Sequence, residues 1–180
     1  MATKIENSEP SLPYFRFMVV IYRLGIWFYW LAINILKPFN QKAKKFADGR
    51  KGWRSELARV FAEKNENIIW FHAASLGEFE QGRPVMESLK KKKPDIKILL
   101  TFFSPSGFEI RKNYAHADWV VYLPIDTPSN ARYFIETARP QMAIFIKYEF
   151  WYFYLRELQI RKIPTLVISS IFRENQLFFH

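Results

Sequence analysis

The 180-residue chain contains no cysteine, which excludes a disulfide scaffold, a thiol nucleophile and a cysteine-ligated metal site. Its histidines, aspartates and glutamates show no metal-ligand spacing, so the sequence offers no metal site of another kind either. Internal repeats and low-complexity tracts are also absent. Apolar residues make up 49% of the chain, which is enough for a packed core and argues against intrinsic disorder.

Acidic residues are scarce near the N-terminus. Residues 1–54 hold ten of the 27 basic residues but only three of the 17 acidic ones. The formal net charge of +10 is therefore concentrated at one end of the chain. A basic surface of this kind attracts polyanions, which include nucleic acid, anionic lipid headgroups and phosphorylated substrates.

Charge is almost missing from residues 17–36, where Arg23 is the one charged residue. Twenty helical residues are about 30 Å long, which is the thickness of the hydrocarbon core of a bilayer. The stretch starts late and no small-x-small cleavage site follows it, so it does not match a signal peptide. We predict a flexible N-terminus over residues 1–13 and a membrane-anchor helix over residues 14–37.

A basic juxtamembrane segment over residues 38–54 follows the predicted helix. By the positive-inside rule, the chain after the helix lies on the cytoplasmic side of the membrane. A helix that lies in the membrane interface, or that packs on a partner, is the alternative, because tryptophan and tyrosine suit both positions. Two glycines bracket Arg50 and Lys51 in a turn that presents both cations, either to a phosphate or to the lipid surface.

From residue 55 onwards, short apolar runs alternate with helical patterns. Strands are predicted at 68–72, 96–103, 118–124, 141–148 and 165–170, and helices at 78–92, 106–115, 128–138 and 151–162. Continuous apolarity indicates strands that are covered on both faces, as in a parallel sheet. We therefore expect residues 55–180 to form an α/β domain with a Rossmann-like doubly wound parallel sheet.

Ligands of such sheets bind beyond the carboxyl ends of the strands, so the residues that follow each strand are candidates for a site. Small, hydroxylic and charged side chains gather there: Ser75, Gly77 and Glu78 after the first strand, Ser104, Ser106 and Gly107 after the second, Asp126 after the third, Lys147 and Glu149 after the fourth, and Ser169 and Ser170 after the fifth. Turns commonly contain such residues for structural reasons alone. Because these turns all lie at the same edge of the predicted sheet, we expect a binding site there.

Five segments occur in order after the basic-flanked helix: WFHAASLGE, LLTFFSPSG, YLPIDTP, IKYEFW and SSIFR. Together they resemble the 3-deoxy-D-manno-octulosonic acid (Kdo) transferases of lipopolysaccharide synthesis, from about residue 15 to the end of the chain. The resemblance implies the N-terminal half of a GT-B glycosyltransferase at the cytoplasmic face of the inner membrane. Such an enzyme transfers Kdo from CMP-Kdo to lipid A precursor (lipid IVA), without a metal or other cofactor.

The resemblance also implies roles for individual residues. The glutamate of the Ser-x-Gly-Glu motif is the family's general base and falls on Glu78, and the glutamate before x-Trp helps to stabilise the transition state and falls on Glu149. In this family the N-terminal half binds the acceptor. We expect the glucosamine phosphates of the acceptor to contact two cationic side chains and the Ser/Gly loops, namely Arg50, Lys51, Ser75, Gly77, Ser104, Ser106 and Gly107.

The chain departs from the family's pattern in two ways. Many members have Glu-Thr-Glu-Leu-Trp-Pro around the second carboxylate, where residues 147–152 are KYEFWY, so Glu149 is the one carboxylate at that place. In addition, 180 residues do not supply a second Rossmann-like domain. We therefore expect the donor-binding C-terminal domain to be absent from this chain, and the chain alone to be inactive as a transferase.

Each site residue also has a structural interpretation. Glu78 lies three residues after Ser75, which is the spacing of a helix capping box. Glu149 would form a structural ion pair with Lys147 or Arg173. His72 would be a neutral, hydrogen-bonded core histidine, unless it orients Glu78 or the acceptor.

Two other functions compete with Kdo transfer. One is another membrane-associated GT-B glycosyltransferase, such as one of peptidoglycan assembly. The other is a non-catalytic, membrane-anchored module that binds anionic lipid. Nucleic acid is not an expected partner, because no recognition motif appears and the cations cluster at the apolar helix, where membrane lipids are the natural partner.

Overall fold

The computed structural model describes residues 13–62 and 67–170, so Arg173 and all but the last residue of the predicted flexible N-terminus lie outside the described residues. The helices of this part are α1 (Pro13–Leu36), α2 (Gln41–Asp48), α3 (Trp53–Phe61), α4 (Leu76–Lys92), α5 (Pro105–Arg111), α6 (Pro128–Ala138) and α7 (Tyr152–Ile160). Its strands are β1 (Ile68–Ala73), β2 (Lys97–Phe102), β3 (Trp119–Tyr122), β4 (Met142–Ile146) and β5 (Thr165–Ile168).

The strands form one parallel sheet in the order β3-β2-β1-β4-β5. The central strand β1 pairs with β2 on one side and with β4 on the other. The chain builds the sheet outwards from β1 to β3, and then crosses to the opposite side for β4 and β5. The predicted α/β fold with a doubly wound parallel sheet is thereby confirmed, whereas the GT-B assignment stays a prediction.

Four predicted strands end one or two residues earlier than expected, and β4 and β3 each show a local reason. β4 stops at Ile146 because Lys147 takes a left-handed φ of 65°, which turns the chain out of the sheet. β3 stops at Tyr122, two residues before Pro124, which has no N–H to donate to a neighbouring strand. Both differences lie at the carboxyl ends of the strands, where the chain enters the loops of the candidate site.

Hydrophobic cores lie on both faces of the sheet. Trp70 packs with Phe134 and Tyr154 on the face that α3, α6 and α7 cover. Its neighbour Phe71 points to the opposite face, where it joins the core formed with α4 and α5. Each large apolar side chain that is fully buried in these cores contributes about 1.5–3 kcal/mol to the free energy of folding.

α1 confirms the predicted N-terminal helix, and its length and composition are those of a membrane span. One stripe of this helix is partly covered by the domain, at positions three or four residues apart: Phe15, Val19, Tyr22, Ile26, Trp30 and Ile33. The helix contacts Phe103 after β2, Asp126 after β3 and Tyr152 after β4. It therefore lies across the carboxyl edge of the sheet.

α2 lies within the predicted basic segment and was not expected as a helix. The side chain of Asn40 accepts hydrogen bonds from the backbone N–H groups of Lys42 at 2.9 Å and Ala43 at 3.1 Å, which caps the first turn. Ala43, Phe46 and Ala47 are buried. Their spacing of three and one residues is the apolar face of a short helix, which the surrounding lysines obscure in the sequence.

Candidate active site

Glu78 and Glu149 lie at the same edge of the sheet, after two neighbouring strands. Glu78 is in the first turn of α4, which follows β1, and Glu149 follows β4 by three residues. β1 and β4 are parallel and paired, with His72 in register with Phe145. The order of the strands reverses between them, and α/β sheets bind their ligands at such switch points.

Glu78 forms the predicted capping box with Ser75. Its Oε2 accepts a hydrogen bond from the backbone N–H of Ser75 at 2.8 Å and lies 3.2 Å from the Ser75 hydroxyl, which donates to it. Both bonds end on the same oxygen, and the side chain is partly exposed. Capping therefore holds the carboxylate in place by Oε2, and Oε1 accepts no hydrogen bond from the described residues.

The Ser/Gly loops after β1 and β2 are joined to each other. The backbone N–H of Ser104 donates to the carbonyl of Ala74 at 2.7 Å. A Cβ at Gly107 would lie 2.3 Å from the Phe102 ring and 3.1 Å from the Ser75 backbone, so glycine is what lets α5 approach the first loop. A Cβ at Gly77 would meet no atom of the described residues within 4 Å, so the surface beside Glu78 is open there.

Ser106 lies in the second of these loops, and its hydroxyl is within hydrogen-bond distance of the Ser104 hydroxyl, at 3.0 Å. The structure thus brings the loops of Ser75, Gly77, Ser104 and Ser106 together beside Glu78, whereas Gly107 is buried and serves the packing of α5. Their part in binding an acceptor stays a prediction.

Glu149 is held by a shared indole N–H. The Nε1–H of Trp151 lies 3.0 Å from Glu149 Oε2 and 3.1 Å from His72 Nε2, so it donates to both. Glu149 Oε2 and His72 Nε2 are 3.6 Å apart, with the indole N–H of Trp151 shared between them. Among the described residues, the partners of Glu149 are therefore Trp151 and His72 and not the predicted Lys147, while the predicted pairing with Arg173 lies outside the described residues.

His72 is completely buried, and its two ring nitrogens have different roles. Because an indole N–H can only donate, Nε2 is the acceptor for Trp151 and the ring proton is on Nδ1. Nδ1 donates to the Thr101 hydroxyl at 2.8 Å, and that oxygen also accepts from the Trp70 indole at 2.8 Å. The Thr101 hydroxyl proton goes to the Phe71 carbonyl at 3.3 Å.

This arrangement uses every polar atom of the buried network. It confirms the interpretation of His72 as a hydrogen-bonded core histidine. It also gives the ring a fixed orientation towards Glu149, which sequence reasoning had not connected to His72.

The turn after α2 separates the two cations that were expected together. Lys51 is exposed and forms an ion pair with Asp48 at 2.9 Å. Arg50 is only 6% exposed and donates to the backbone carbonyls of Phe46, Phe103 and Leu123 at 2.7–3.0 Å. The expectation that the turn presents both cations is therefore wrong for Arg50, whose guanidinium is sequestered by main-chain oxygens.

Burial lowers the pKa of Arg50 to about 10, so it still carries its charge at neutral pH. Its guanidinium also stacks on the Phe46 ring at 3.7 Å from the ring centre. Arg50 therefore joins α2 to the loops after β2 and β3. The phosphate role predicted for Arg50 and Lys51 stays a prediction.

Asp126 is the residue of this edge whose importance sequence reasoning missed. It is 1% exposed, and it accepts from the backbone N–H groups of Phe153 at 3.0 Å and Tyr154 at 3.2 Å, at the start of α7. It also accepts from the Tyr22 hydroxyl of α1 at 2.6 Å. Burial raises the pKa of the Asp126 carboxyl. A lone aspartate after a strand does not reveal such long-range partners, although its position at the edge was visible.

A cleft of about 390 Å³ opens between α1 and the loop that follows β3. Its walls combine indole rings with charged groups, and they include Arg23, Trp27, Trp30, Arg50, Trp53 and Asp126. The cleft lies beside the outer face of α1, which is rich in exposed apolar side chains. Its chemistry suits an amphiphile that has both an apolar and an anionic part.

Comparison with known proteins assigns the family. Residues 51–178 match the family model described as 3-deoxy-D-manno-octulosonic-acid transferase (kdotransferase). The chain belongs to this family. The match includes both glutamates of the candidate site and all of the described sheet.

Individual relatives agree with the family model. The chain is 37% identical over 119 residues to the 3-deoxy-D-manno-octulosonic acid transferase of Aquifex aeolicus, which covers 63% of this chain and 32% of that protein. It is 30% identical over 103 residues to the corresponding transferase of Haemophilus influenzae, which covers 57% of this chain and 24% of that protein. These matches thus span a third or less of the relatives' own length.

Proposed function

We propose that this chain is the acceptor-binding part of a glycosyltransferase that transfers Kdo from CMP-Kdo to lipid A precursor. The observation that carries the proposal is the position of Glu78. The chain belongs to this family, and its Glu78 lies at the switch point of the sheet, on the carboxyl edge across which the apolar helix α1 also lies. A carboxylate there can reach a hydroxyl group that is presented at a membrane surface.

In the proposed reaction, Glu78 acts as the general base. Its free carboxylate oxygen takes the proton of the acceptor hydroxyl, and the hydroxyl oxygen bonds to the anomeric carbon of Kdo. The bond between that carbon and CMP breaks, and its electron pair leaves on the CMP phosphate. Catalysis requires Glu78 within about 3 Å of the hydroxyl oxygen, and the capping bonds hold its side chain in one orientation for this purpose.

Glu149 is the proposed second carboxylate of the site. It would stabilise positive charge that develops on the sugar ring as the bond to CMP breaks. Such a role depends on a fixed carboxylate, and the Trp151 indole over the buried His72 supplies that rigidity. A second domain of the GT-B type would bring CMP-Kdo to the edge at which both glutamates lie.

The acceptor would lie along α1. Its acyl chains would contact the outer face of that helix and the indole-lined cleft, where Arg23 offers a positive charge to a glucosamine phosphate. Lys51 and the loops at Ser75, Gly77, Ser104 and Ser106 would contact the polar headgroup. The basic residues beyond α1 would face anionic lipid at the cytoplasmic face of the inner membrane.

The capping box supports one other function, because it gives Glu78 a structural task that needs no catalysis. In that case the chain would be a non-catalytic module that binds anionic lipid. Both functions predict binding to membranes, but only the first predicts a preference for lipid A precursor and an effect of Glu78 on transfer.

Binding of the acceptor can be measured with the chain itself. In a sedimentation assay, phosphatidylethanolamine vesicles that contain lipid A precursor should bind more of the chain than vesicles in which phosphatidylglycerol supplies the same total charge. In a separate binding measurement, CMP-Kdo should not bind to the chain. Lys51→Ala should weaken this preference, and Lys92→Ala, at the far end of α4, is the matched control. Equal retention by the two lipids would contradict the proposed acceptor site.

Transfer can be measured in a chimera in which this chain replaces the matching segment of the Aquifex aeolicus relative. We expect the chimera to transfer Kdo from CMP-Kdo to lipid A precursor, and the chain alone to show no turnover. Robust turnover by the chain alone would contradict its assignment as the acceptor-binding part. A folded chimera that binds both ligands and does not transfer would contradict the proposed chemistry.

A further inference from the structure

α1 is docked on the α/β domain over most of its length. Near its start, the Phe15 ring packs edge-on against the Tyr152 ring, with the ring centres 6.1 Å apart. At its middle, Tyr22 donates to Asp126, and further along the helix the Tyr29 ring stacks on Phe103, with the ring centres 6.1 Å apart. The contacts extend over the fourteen residue steps from Phe15 to Tyr29, which correspond to about 21 Å of helix.

Docking over this length conflicts with a helix that crosses the bilayer. The hydrocarbon core is about 30 Å thick, so a crossing helix would take the docked edge of the domain into it. That edge consists of loops and carries the partly exposed charged side chains of Lys147 and Glu149. Loops and charged groups that face lipid at this depth are strongly unfavourable.

The opposite face of α1 is apolar and uncovered. Twelve large apolar side chains of the helix are exposed, from Tyr14 at one end to Leu36 at the other. The exposed apolar surface continues past the helix to Phe39, which is 88% exposed. A monomeric protein rarely leaves a continuous apolar surface of this size open to water, so it is an interaction surface.

Polar residues are restricted to one flank of the helix. Arg16 and Arg23 are seven residues apart, and Asn34 is eleven residues further on, so all three lie on nearly the same side. Exposed lysines at positions 42, 44 and 45 extend this positive charge beyond the helix. An apolar face bordered by cations matches the acyl boundary and the headgroups of one anionic leaflet.

We propose that α1 lies in the plane of the membrane, embedded in one leaflet while it stays docked on the domain. It does not cross the bilayer. The carboxyl edge of the sheet, with Glu78 and Glu149, is then held at the lipid surface. This inference uses the membrane association of the proposed function but not its chemistry, so its test concerns topology and not activity.

The absence of cysteine allows a direct test of topology by thiol labelling. Ser8→Cys and Lys42→Cys place single thiols before and after α1, and the chain is produced in bacterial inner membranes. A membrane-impermeant maleimide should label both thiols equally in inverted vesicles and neither in intact spheroplasts. Labelling of the Ser8→Cys thiol only from the spheroplast side would show a crossing helix and overturn the proposal.

A cross-link tests whether α1 stays docked on the domain when the protein is bound to a membrane. In the variant with both Phe15→Cys and Tyr152→Cys, a short bifunctional thiol reagent should join the two thiols both in detergent and on vesicles. A cross-link that forms in detergent but not on vesicles would mean that α1 leaves the domain, and the proposal would be wrong.

The role of the outer face is tested with two matched variants. Phe28, on that face, is 58% exposed, and Ile110, on α5, is 59% exposed. On vesicles of phosphatidylethanolamine and phosphatidylglycerol, Phe28→Glu should reduce the bound fraction by about tenfold or more, and Ile110→Glu should not. Equal effects of the two variants would contradict the assignment of the lipid-binding face.

Discussion

The two glutamates of the candidate site follow neighbouring strands, but they are held in place in different ways. Glu78 is fixed by its own turn, because its partner Ser75 is three residues away. Glu149 is fixed through Trp151 by a histidine that is 77 positions earlier in the chain, in the centre of the sheet. One carboxylate therefore depends on local helix capping and the other on the packing of the whole domain.

This difference separates two kinds of damage. A substitution that breaks the capping box acts on one helix end and leaves the sheet intact. A substitution in the network below Glu149 leaves buried donors without acceptors, so it affects both the site and the folding of the domain. The comparison predicts that the two carboxylates can be perturbed independently.

Among the variants that leave Glu78 in place, the largest effect is expected for Glu149→Gln. The amide keeps an acceptor for Trp151 but loses the negative charge, so Kdo transfer by the chimera should fall about 100-fold. The free energy of unfolding, measured in urea, should change little. Glu136→Gln, on the exposed surface of α6, is the control and should leave transfer unchanged.

A smaller loss of activity, with a large loss of stability, is expected for Thr101→Val. The substitution removes the hydroxyl that accepts from Trp70 and His72, and each buried donor left unpaired costs about 1–3 kcal/mol. Urea denaturation of the chain should show a decrease of at least about 2 kcal/mol. Thr165→Val is the matched control, because its hydroxyl is exposed. A stability equal to that of the control would contradict the role of the network.

The smallest effect is expected for Ser75→Ala, which removes the hydroxyl from the capping box but keeps the backbone N–H bond to Glu78. The loss of an N-cap costs about 0.5–2 kcal/mol, and transfer by the chimera should fall by less than tenfold because Glu78 retains one of its two bonds. Urea denaturation and initial rates measure the two effects. A loss of transfer as large as that of Glu149→Gln would mean that Ser75 acts on the substrate directly.

The parts of the structure that were predictable from sequence depend on local patterns. The five strands, the apolar helix and the capping box at Ser75 and Glu78 each follow from the spacing of residues that are close in the chain. The edge at which ligands would bind also follows, because all parallel strands of a βαβ sheet end at the same side.

The parts that were not predictable depend on contacts between distant residues. Nothing near Asp126 in sequence indicates that it accepts from Tyr22, and nothing near Arg50 indicates that three backbone carbonyls surround it. The same is true of His72 and Glu149, whose proximity results from the pairing of β1 with β4. For α2, the lysines dominate a segment whose apolar face is only three residues wide.

The central claim is that Glu78 is a general base and not merely a capping residue, and Glu78→Gln tests it most directly. Glutamine keeps an oxygen to accept the bond from the Ser75 N–H, but it cannot take a proton from the acceptor. In the chimera, with CMP-Kdo and lipid A precursor, we expect initial rates to fall by about 10²–10⁴-fold, while the free energy of unfolding stays nearly the same. Unimpaired transfer by this variant would contradict the account and leave capping as the function of Glu78.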